Sequence, residues 1–190
     1  GNSRGVNVSG AASFSDTDGV FSNNDDHGIR LIDVAGDVRL TRTTADNNDA
    51  DDDGTGDGLN ATDSTADGDT VAVGGSLLVQ GCRFRDSGGT ADHQERGLFA
   101  SGITCSVTFE DSAGPIQSIE VTGNEGAGVR LQAAASNATF TGGNYSNNAD
   151  HGIRFVDIAG TVTLVRSTAD NNDADDDGTG DGLSATDGSD

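Results

Sequence analysis

Apolar and polar residues alternate along this chain in short runs, and seven of those runs open on a glycine. They are Gly5-Val6-Asn7-Val8, Gly28-Ile29-Arg30-Leu31, Gly58-Leu59-Asn60-Ala61, Gly97-Leu98-Phe99-Ala100, Gly128-Val129-Arg130-Leu131, Gly152-Ile153-Arg154-Phe155 and Gly182-Leu183-Ser184-Ala185. Their glycines stand 23, 30, 39, 31, 24 and 30 residues apart. Most units carry a second alternating run: Ser13-Phe14-Ser15, Val38-Arg39-Leu40-Thr41, Cys82-Arg83-Phe84, Ser106-Val107-Thr108-Phe109, Ala138-Thr139-Phe140-Thr141 or Val162-Thr163-Leu164-Val165. A period of two puts Ile29 and Leu31, or Val38 and Leu40, on one face of a strand and their neighbours on the other. A helical period is hard to find anywhere, and the density of Gly and Asn penalises helices further.

The shortest steps, 23 and 24 residues with two or three short strands each, match one turn of a parallel β-helix. One such turn cannot bury its apolar edge alone, but turns stacked about 4.8 Å apart share a continuous core. The expected fold is all-β, a single-stranded parallel solenoid of about seven rungs, with residues 1–190 forming one domain. A longer period overlies the rungs. At an offset of 124 residues, Phe21–Ala66 and Tyr145–Asp190 agree at 33 of 46 positions, and Thr44–Leu59 matches Thr168–Leu183 throughout. Between the copies, Leu31/Phe155, Ile32/Val156, Val34/Ile158 and Phe21/Tyr145 exchange one apolar group for another, as interior positions tolerate. Extra residues fall in turns, after an Asn pair. The pairs Asn23-Asn24, Asn47-Asn48, Asn147-Asn148 and Asn171-Asn172 occupy the same turn. Asn tolerates the left-handed region and stacked amides can hydrogen-bond between rungs, so these residues are read as structural. The super-repeat makes the chain an expected section of a longer tandem array, processed or excised from a larger protein.

Composition narrows the picture. Gly accounts for 29 of 190 residues, aromatics for 4%, and Trp and Met are absent, so the interior must be thin and repetitive. There is no Lys; ten Arg face 28 Asp and four Glu, for a net charge of −22. Such self-repulsion opposes compaction unless cations or salt screen it, and it argues against nucleic acid and anionic membranes as partners. No apolar run approaches the roughly 20 residues that cross a bilayer, so no membrane insertion is expected. No signal peptide is visible. Cys82 and Cys105 are too few for a disulfide framework. They fall near equivalent places on successive units, two residues out of step, which leaves a bridge between them open.

The acidity is concentrated in two loops. Asn24 reaches Gly28 in four steps, whereas Asn48 reaches Gly58, and Asn172 reaches Gly182, in ten. The longer path supplies Asp49, Asp51, Asp53 and Asp57 in one copy and Asp173, Asp175, Asp177 and Asp181 in the other. Calcium takes six to eight oxygens at about 2.3–2.6 Å and accepts irregular geometry, whereas magnesium is stricter. Zinc would want Cys or His, and the loops hold neither. Alternate carboxylates can turn towards one point, Gly54 and Gly178 permit the sharp bend, and Thr55 and Thr179 can offer backbone carbonyls. Calcium is therefore the expected ligand. The loop resembles the first nine positions of an EF-hand-type loop, seen also in dockerins and thrombospondin-like repeats. The place of that loop's bidentate Glu holds Asn60 or Ser184, and no flanking helices are apparent, so the resemblance covers the loop and not the EF-hand fold. Asp26 and Asp150, one rung earlier, are the expected source of the missing oxygen.

Units of the form Ser-Asn-Asn-x-x-His-Gly-Ile-Arg followed by Gly-x-Val-x-Leu resemble the right-handed parallel β-helix repeats of the pectate-lyase-like superfamily, over nearly the whole chain. That resemblance implies a right-handed coil. The superfamily spans polysaccharide lyases and hydrolases, alginate epimerases, tailspikes and surface adhesins, so it leaves function open. The epimerases' Gly-Gly-x-Gly-x-Asp repeat is absent, as are a nucleophile elbow, a phosphate loop and a Cys–His pair. The pairs Asp26-His27, Asp92-His93 and Asp150-His151 lie on alternate rungs, too far apart to share a metal. They are read as turn or surface residues, with Asp and His on opposite faces. Arg30, Arg130 and Arg154 share one outward strand position and are read as surface ion-pair partners. Four sequons, at Asn7, Asn60, Asn137 and Asn144, hint weakly at a surface protein.

The expectation is a secreted or cell-surface structural module, not an enzyme, stiffened by calcium. Its partner is itself, stacked in an array or end to end as a filament; glycans are a further partner class. The alternative is a calcium-dependent lyase acting on an acidic glycan, or a glycan-binding adhesin, with a unique cluster in the long unit Gly58–Arg96.

Overall fold

The computed structural model describes residues 4–49, 56–64, 71–86, 94–111, 118–134, 137–173, 178 and 180–187. Strands β1 (Val6–Ser9), β3 (Ile29–Ile32), β5 (Asp57–Thr62), β8 (Arg96–Ser101), β11 (Val129–Gln132), β13 (Ile153–Val156) and β15 (Leu183–Thr186) form one seven-stranded sheet in that order. Strands β2 (Phe14–Thr17), β4 (Val38–Thr41), β6 (Leu77–Gln80), β9 (Val107–Glu110), β12 (Ala138–Thr141) and β14 (Val162–Val165) form a second sheet. A third pairs β7 (Arg83–Arg85) with β10 (Glu120–Thr122) and is extended by single-residue bridges such as Val20–Thr44 and Asn144–Thr168. Every pairing is parallel, and each strand lies beside its counterpart one turn of chain away. The chain is an all-β parallel solenoid.

The recurring glycine has a steric cause. A Cβ on Gly97, Gly128 or Gly152 would come within 2.7 Å of the carbonyl oxygen of the glycine on the following rung. Only a residue without a side chain lets successive turns approach there. The corners are left-handed. Asn23, Asn47, Asn147 and Asn171, the first residue of each Asn pair, have φ of 58°, 52°, 59° and 52°. Asp18, Arg42, Gly81, Gly142 and Arg166 turn the corner after the second strand in the same way.

One strand expectation was misplaced. The second strand of the third unit is Leu77–Gln80, with Leu77 and Val79 stacked between Val38/Leu40 and Val107/Phe109; Arg83–Arg85 belongs to the third sheet. Consequently Cys82 follows a second-sheet strand while Cys105 precedes one. Both are free, Cys82 buried and Cys105 exposed. Burial pushes the Cys82 thiol up to about 11, so it sits in the interior as a small apolar group.

The interior is a set of vertical stacks. Ile29, Leu59, Leu98, Val129 and Ile153 succeed one another on the first sheet, all fully buried. On the second, the Phe109 and Phe140 rings stack at 4.5 Å, with Tyr145 edge-on to both and Phe155 edge-on to Phe140. A polar ladder runs beside the glycines. The Asn24 amide donates to the Asn48 amide oxygen (2.8 Å), Asn48 to Gln94 (3.2 Å), Gln94 to Asn124 (2.7 Å), Asn124 to Asn148 (2.8 Å) and Asn148 to Asn172 (3.1 Å). Six rungs are thereby joined through the second residue of each Asn pair and its counterparts. The two Asn of a pair therefore do different work: one turns the corner, the other joins the rungs.

Asn48→Ala removes a buried link and orphans the Asn24 and Gln94 amides, a loss of about 2 kcal/mol. For a chain of this size that lowers the melting temperature by roughly 4–8 °C. Asn23→Gly keeps the left-handed corner and should be nearly neutral. Thermal denaturation followed by circular dichroism compares them, and equal shifts would contradict the ladder's role.

Candidate metal site at the acidic turns

The two acidic loops leave and rejoin the coil at one point. Asp49, buried with φ 92°, donates its N–H to the Asn24 carbonyl (2.9 Å), and Gly56 packs directly against it, with no room for a Cβ. Asp173, with φ 83°, donates to the carbonyls of Asn148 (3.0 Å) and Asp150 (3.1 Å), and Gly180 packs on it in the same manner. Gly178 has φ +83° and donates its N–H to the Asp173 carboxylate (3.0 Å), which turns that carboxylate into the loop. Asp51, Asp53, Thr55, Asp175, Asp177 and Thr179 lie outside the described residues.

The other described candidates differ between copies. Asp57 is fully buried: its carboxylate takes Arg96 Nε (2.8 Å) and Nη2 (3.2 Å) from the following rung and the Asn60 amide (2.6 Å). Asp181, its equivalent, is exposed, and its carboxylate has no partner among the described residues. Both backbone amides are held alike. Asp57 N–H donates to His27 Nδ1 (3.1 Å) and Asp181 N–H to His151 Nδ1 (2.9 Å). With Nδ1 accepting, Nε2 carries the proton and faces the preceding Asp: His27–Asp26 at 3.1 Å and His151–Asp150 at 3.3 Å. The expectation that adjacent Asp and His point to opposite faces is corrected here, because both residues sit in the turn and not in a strand. Asp26 is also held by Arg4 (2.7 Å) and Asp150 by Arg154 (4.0 Å), so these two carboxylates already serve arginine and histidine.

One acidic neighbour was missed from sequence. Glu95, half-buried, donates its N–H to the Gly56 carbonyl (2.7 Å) where the loop rejoins the coil. Burial pushes its carboxyl up; Arg96 pulls it back down, while Asp57, Glu125 and Asp49 raise it further. It comes from the rung after the loop, whereas the sequence pointed to the rung before. Among the described residues, no three His, Cys, Asp or Glu side chains converge on a point suited to a metal ion.

The outward arginines are placed as expected: Arg30 lies between Asn7 and Asn60, and Arg130 directly beside Arg154. The guanidinium groups of Arg96 and Arg130 lie 4.4 and 5.8 Å from the centre of the Phe99 ring. Nε of Arg30, Arg130 and Arg154 is buried without a hydrogen-bond partner among the described residues. Of the sequons, Asn60 is buried against Asp57, so it is closed to a glycan in the folded chain.

Parallel sheets, a three-cornered turn and ladders of like residues define a stacked solenoid. Residues 4–190 match the family described as right handed beta helix region, and the chain belongs to that family. No curated protein and no solved structure matches it.

Burial holds the His27 imidazole below its ordinary value of 6.5, against the opposing pull of Asp57 and Asp26. The unfolded chain therefore binds this proton first as pH falls. The stabilisation is complete above about pH 6.5 and is lost as pH drops towards the folded-state value. His27→Asn, which keeps an acceptor for the Asp57 amide, should reduce the fall in melting temperature between pH 7 and pH 5. An unchanged fall would contradict the assignment.

Proposed function

We propose that this protein is a structural calcium-binding β-helix module of the cell exterior, built to be stacked, with calcium closing the acidic turns. The observation that carries the proposal is the amide ladder from Asn24 to Asn172, which joins six successive rungs side chain to side chain. A β-helix rung buries its edge only under another rung. The calcium part rests on the repeated loop, on its pinched ends, and on the Asp173 carboxylate turned into it. A net charge of −22 adds the physical need, because cations bound at the loops offset repulsion along the coil. Loops of this chemistry in extracellular modules bind at about 10⁻⁴–10⁻³ M.

A second reading keeps the outward arginines in view. Arg130 and Arg154 stack like on like above Phe99 in a strongly acidic protein, an arrangement that a carboxylated glycan would relieve. It supports the lyase or adhesin alternative. Unsaturated product released from a panel of uronate polymers would favour the lyase, and binding without product the adhesin.

Thermal melting against calcium concentration tests the main reading. Calcium at 100 times its dissociation constant adds about 2.7 kcal/mol per site to folded-state stability. Asp173→Asn should halve the effect by disabling one loop. A melting temperature indifferent to calcium would remove the metal from the account.

A further inference from the structure

We propose that Arg130 and Arg154 together bind one tetrahedral oxyanion, a sulfate or phosphate group, on the outer face of the first sheet. The proposal is independent of the stacking and calcium parts of the function above. It assigns the arginines of the second reading a ligand of a different shape.

The leading observation is a pair of arginines left without the partner that others receive. With 32 acidic residues against ten basic ones, a carboxylate is easy to place beside an arginine. Arg42, Arg83, Arg85 and Arg96 each have one within 3.1 Å. Arg130 forms no ion pair among the described residues. Its one hydrogen bond there runs from Nη2 to the neutral amide oxygen of Gln132 (3.2 Å). Arg154 makes no hydrogen bond among the described residues, and Asp150 stands 4.0 Å from its Nη1, beyond hydrogen-bond reach. The two arginines are direct strand partners, so their backbones lie about 4.8 Å apart and both side chains leave the same face.

Packing holds this pair in place. Phe99 is the strand partner of Arg130 on its other side, with its ring centre 5.8 Å from that guanidinium. Nε of Arg130 and of Arg154 is buried without a hydrogen-bond partner among the described residues. The side chains are thus fixed while most of their N–H groups stay unspent. Arg96, 4.4 Å from the same ring, does not compete for a ligand, because Asp57 already takes its Nε and Nη2. Burial first, and then the charges of Arg154 and Arg96, disfavour the charged form of Arg130, against the pull of Asp150 and Glu95. An anion at the pair offsets the repulsion and uses the idle donors.

Shape selects the ligand. One guanidinium fork takes both oxygens of a carboxylate, which leaves the second arginine unserved. A phosphate or sulfate group carries at least three acceptor oxygens and offers an edge to each fork. The group can be the free ion or an ester on a larger molecule.

Nuclear magnetic resonance of the 190-residue chain tests this, read at the arginine Nε–H signals, which burial shields from exchange at both positions. Sodium sulfate, sodium phosphate, sodium acetate and a sulfated oligosaccharide are titrated at matched ionic strength. Sulfate and phosphate should shift the Arg130 and Arg154 signals saturably, and acetate should not. Arg130→Gln and Arg154→Gln should each weaken binding by at least about tenfold. Gln132→Glu supplies Arg130 with the carboxylate it lacks and should weaken binding as much without lowering the melting temperature. Arg39→Gln, at an exposed arginine of the second sheet, should change nothing. Circular dichroism confirms that each variant is folded. Tighter binding of the sulfated oligosaccharide than of sulfate would identify an ester as the ligand, and equal binding the free ion. Acetate binding as well as sulfate would overturn the tetrahedral assignment and favour the carboxylate of the second reading. No saturable shift with any anion would overturn the site, leaving the stacking and calcium proposals untouched.

Discussion

In a coil of parallel rungs, every side chain lies over its counterpart one turn on, about 4.8 Å away. Each recurring feature of this chain answers that proximity. Aliphatic and aromatic groups gain from it, as the Phe109–Phe140 stack shows. Amides gain because each is donor and acceptor at once, hence the ladder from Asn24 to Asn172. Glycine is required where backbone meets backbone. Charges of one sign lose, so arginines are set to bridge rungs: Arg42 to Asp18, Arg85 to Asp46 and Glu120, Arg96 to Asp57. The acidic loops obey the same constraint. They sit four rungs apart, roughly 19 Å, beyond the screening length of about 8 Å at physiological salt. On adjacent rungs two such loops would confront each other at contact distance.

The same constraint makes the environment of a residue depend on what covers it. Thr44–Leu59 and Thr168–Leu183 are identical in sequence, yet Asp57 is buried against arginine and Asp181 is exposed. The loop closes on its own ends in both copies, through Asp49–Gly56 and Asp173–Gly180. What changes is the rung beyond it. In the first copy that rung brings Glu95 against Gly56 and Arg96 against Asp57.

Much of this was legible in sequence because the contacts repeat. The glycine-led strands, the outward arginines, the interior exchanges and the structural role of the Asn pairs all follow from periodicity, and the structure shows them. Three things were not legible, for physical reasons. Gln94 joins the amide ladder although it is not Asn, because the ladder needs an amide and not a particular side-chain length. The pairing of Asp57 with Arg96 spans 39 residues, the longest step in the chain, so spacing gave no hint of it. The insertion in that same unit hid Leu77–Gln80 and shifted the expected strand to residues 82–84. The loop chemistry stays an expectation at Asp51, Asp53, Asp175 and Asp177, which lie outside the described residues.

The central claim is that a rung is completed by the rung above it. Amide hydrogen exchange compares residues 44–59 with residues 168–183, whose identical sequences give them nearly the same intrinsic exchange chemistry. In dilute protein the second segment should exchange much faster than the first, because the turn of chain beyond it is absent from these 190 residues. Equal protection of the two segments in the dilute monomer would contradict the account.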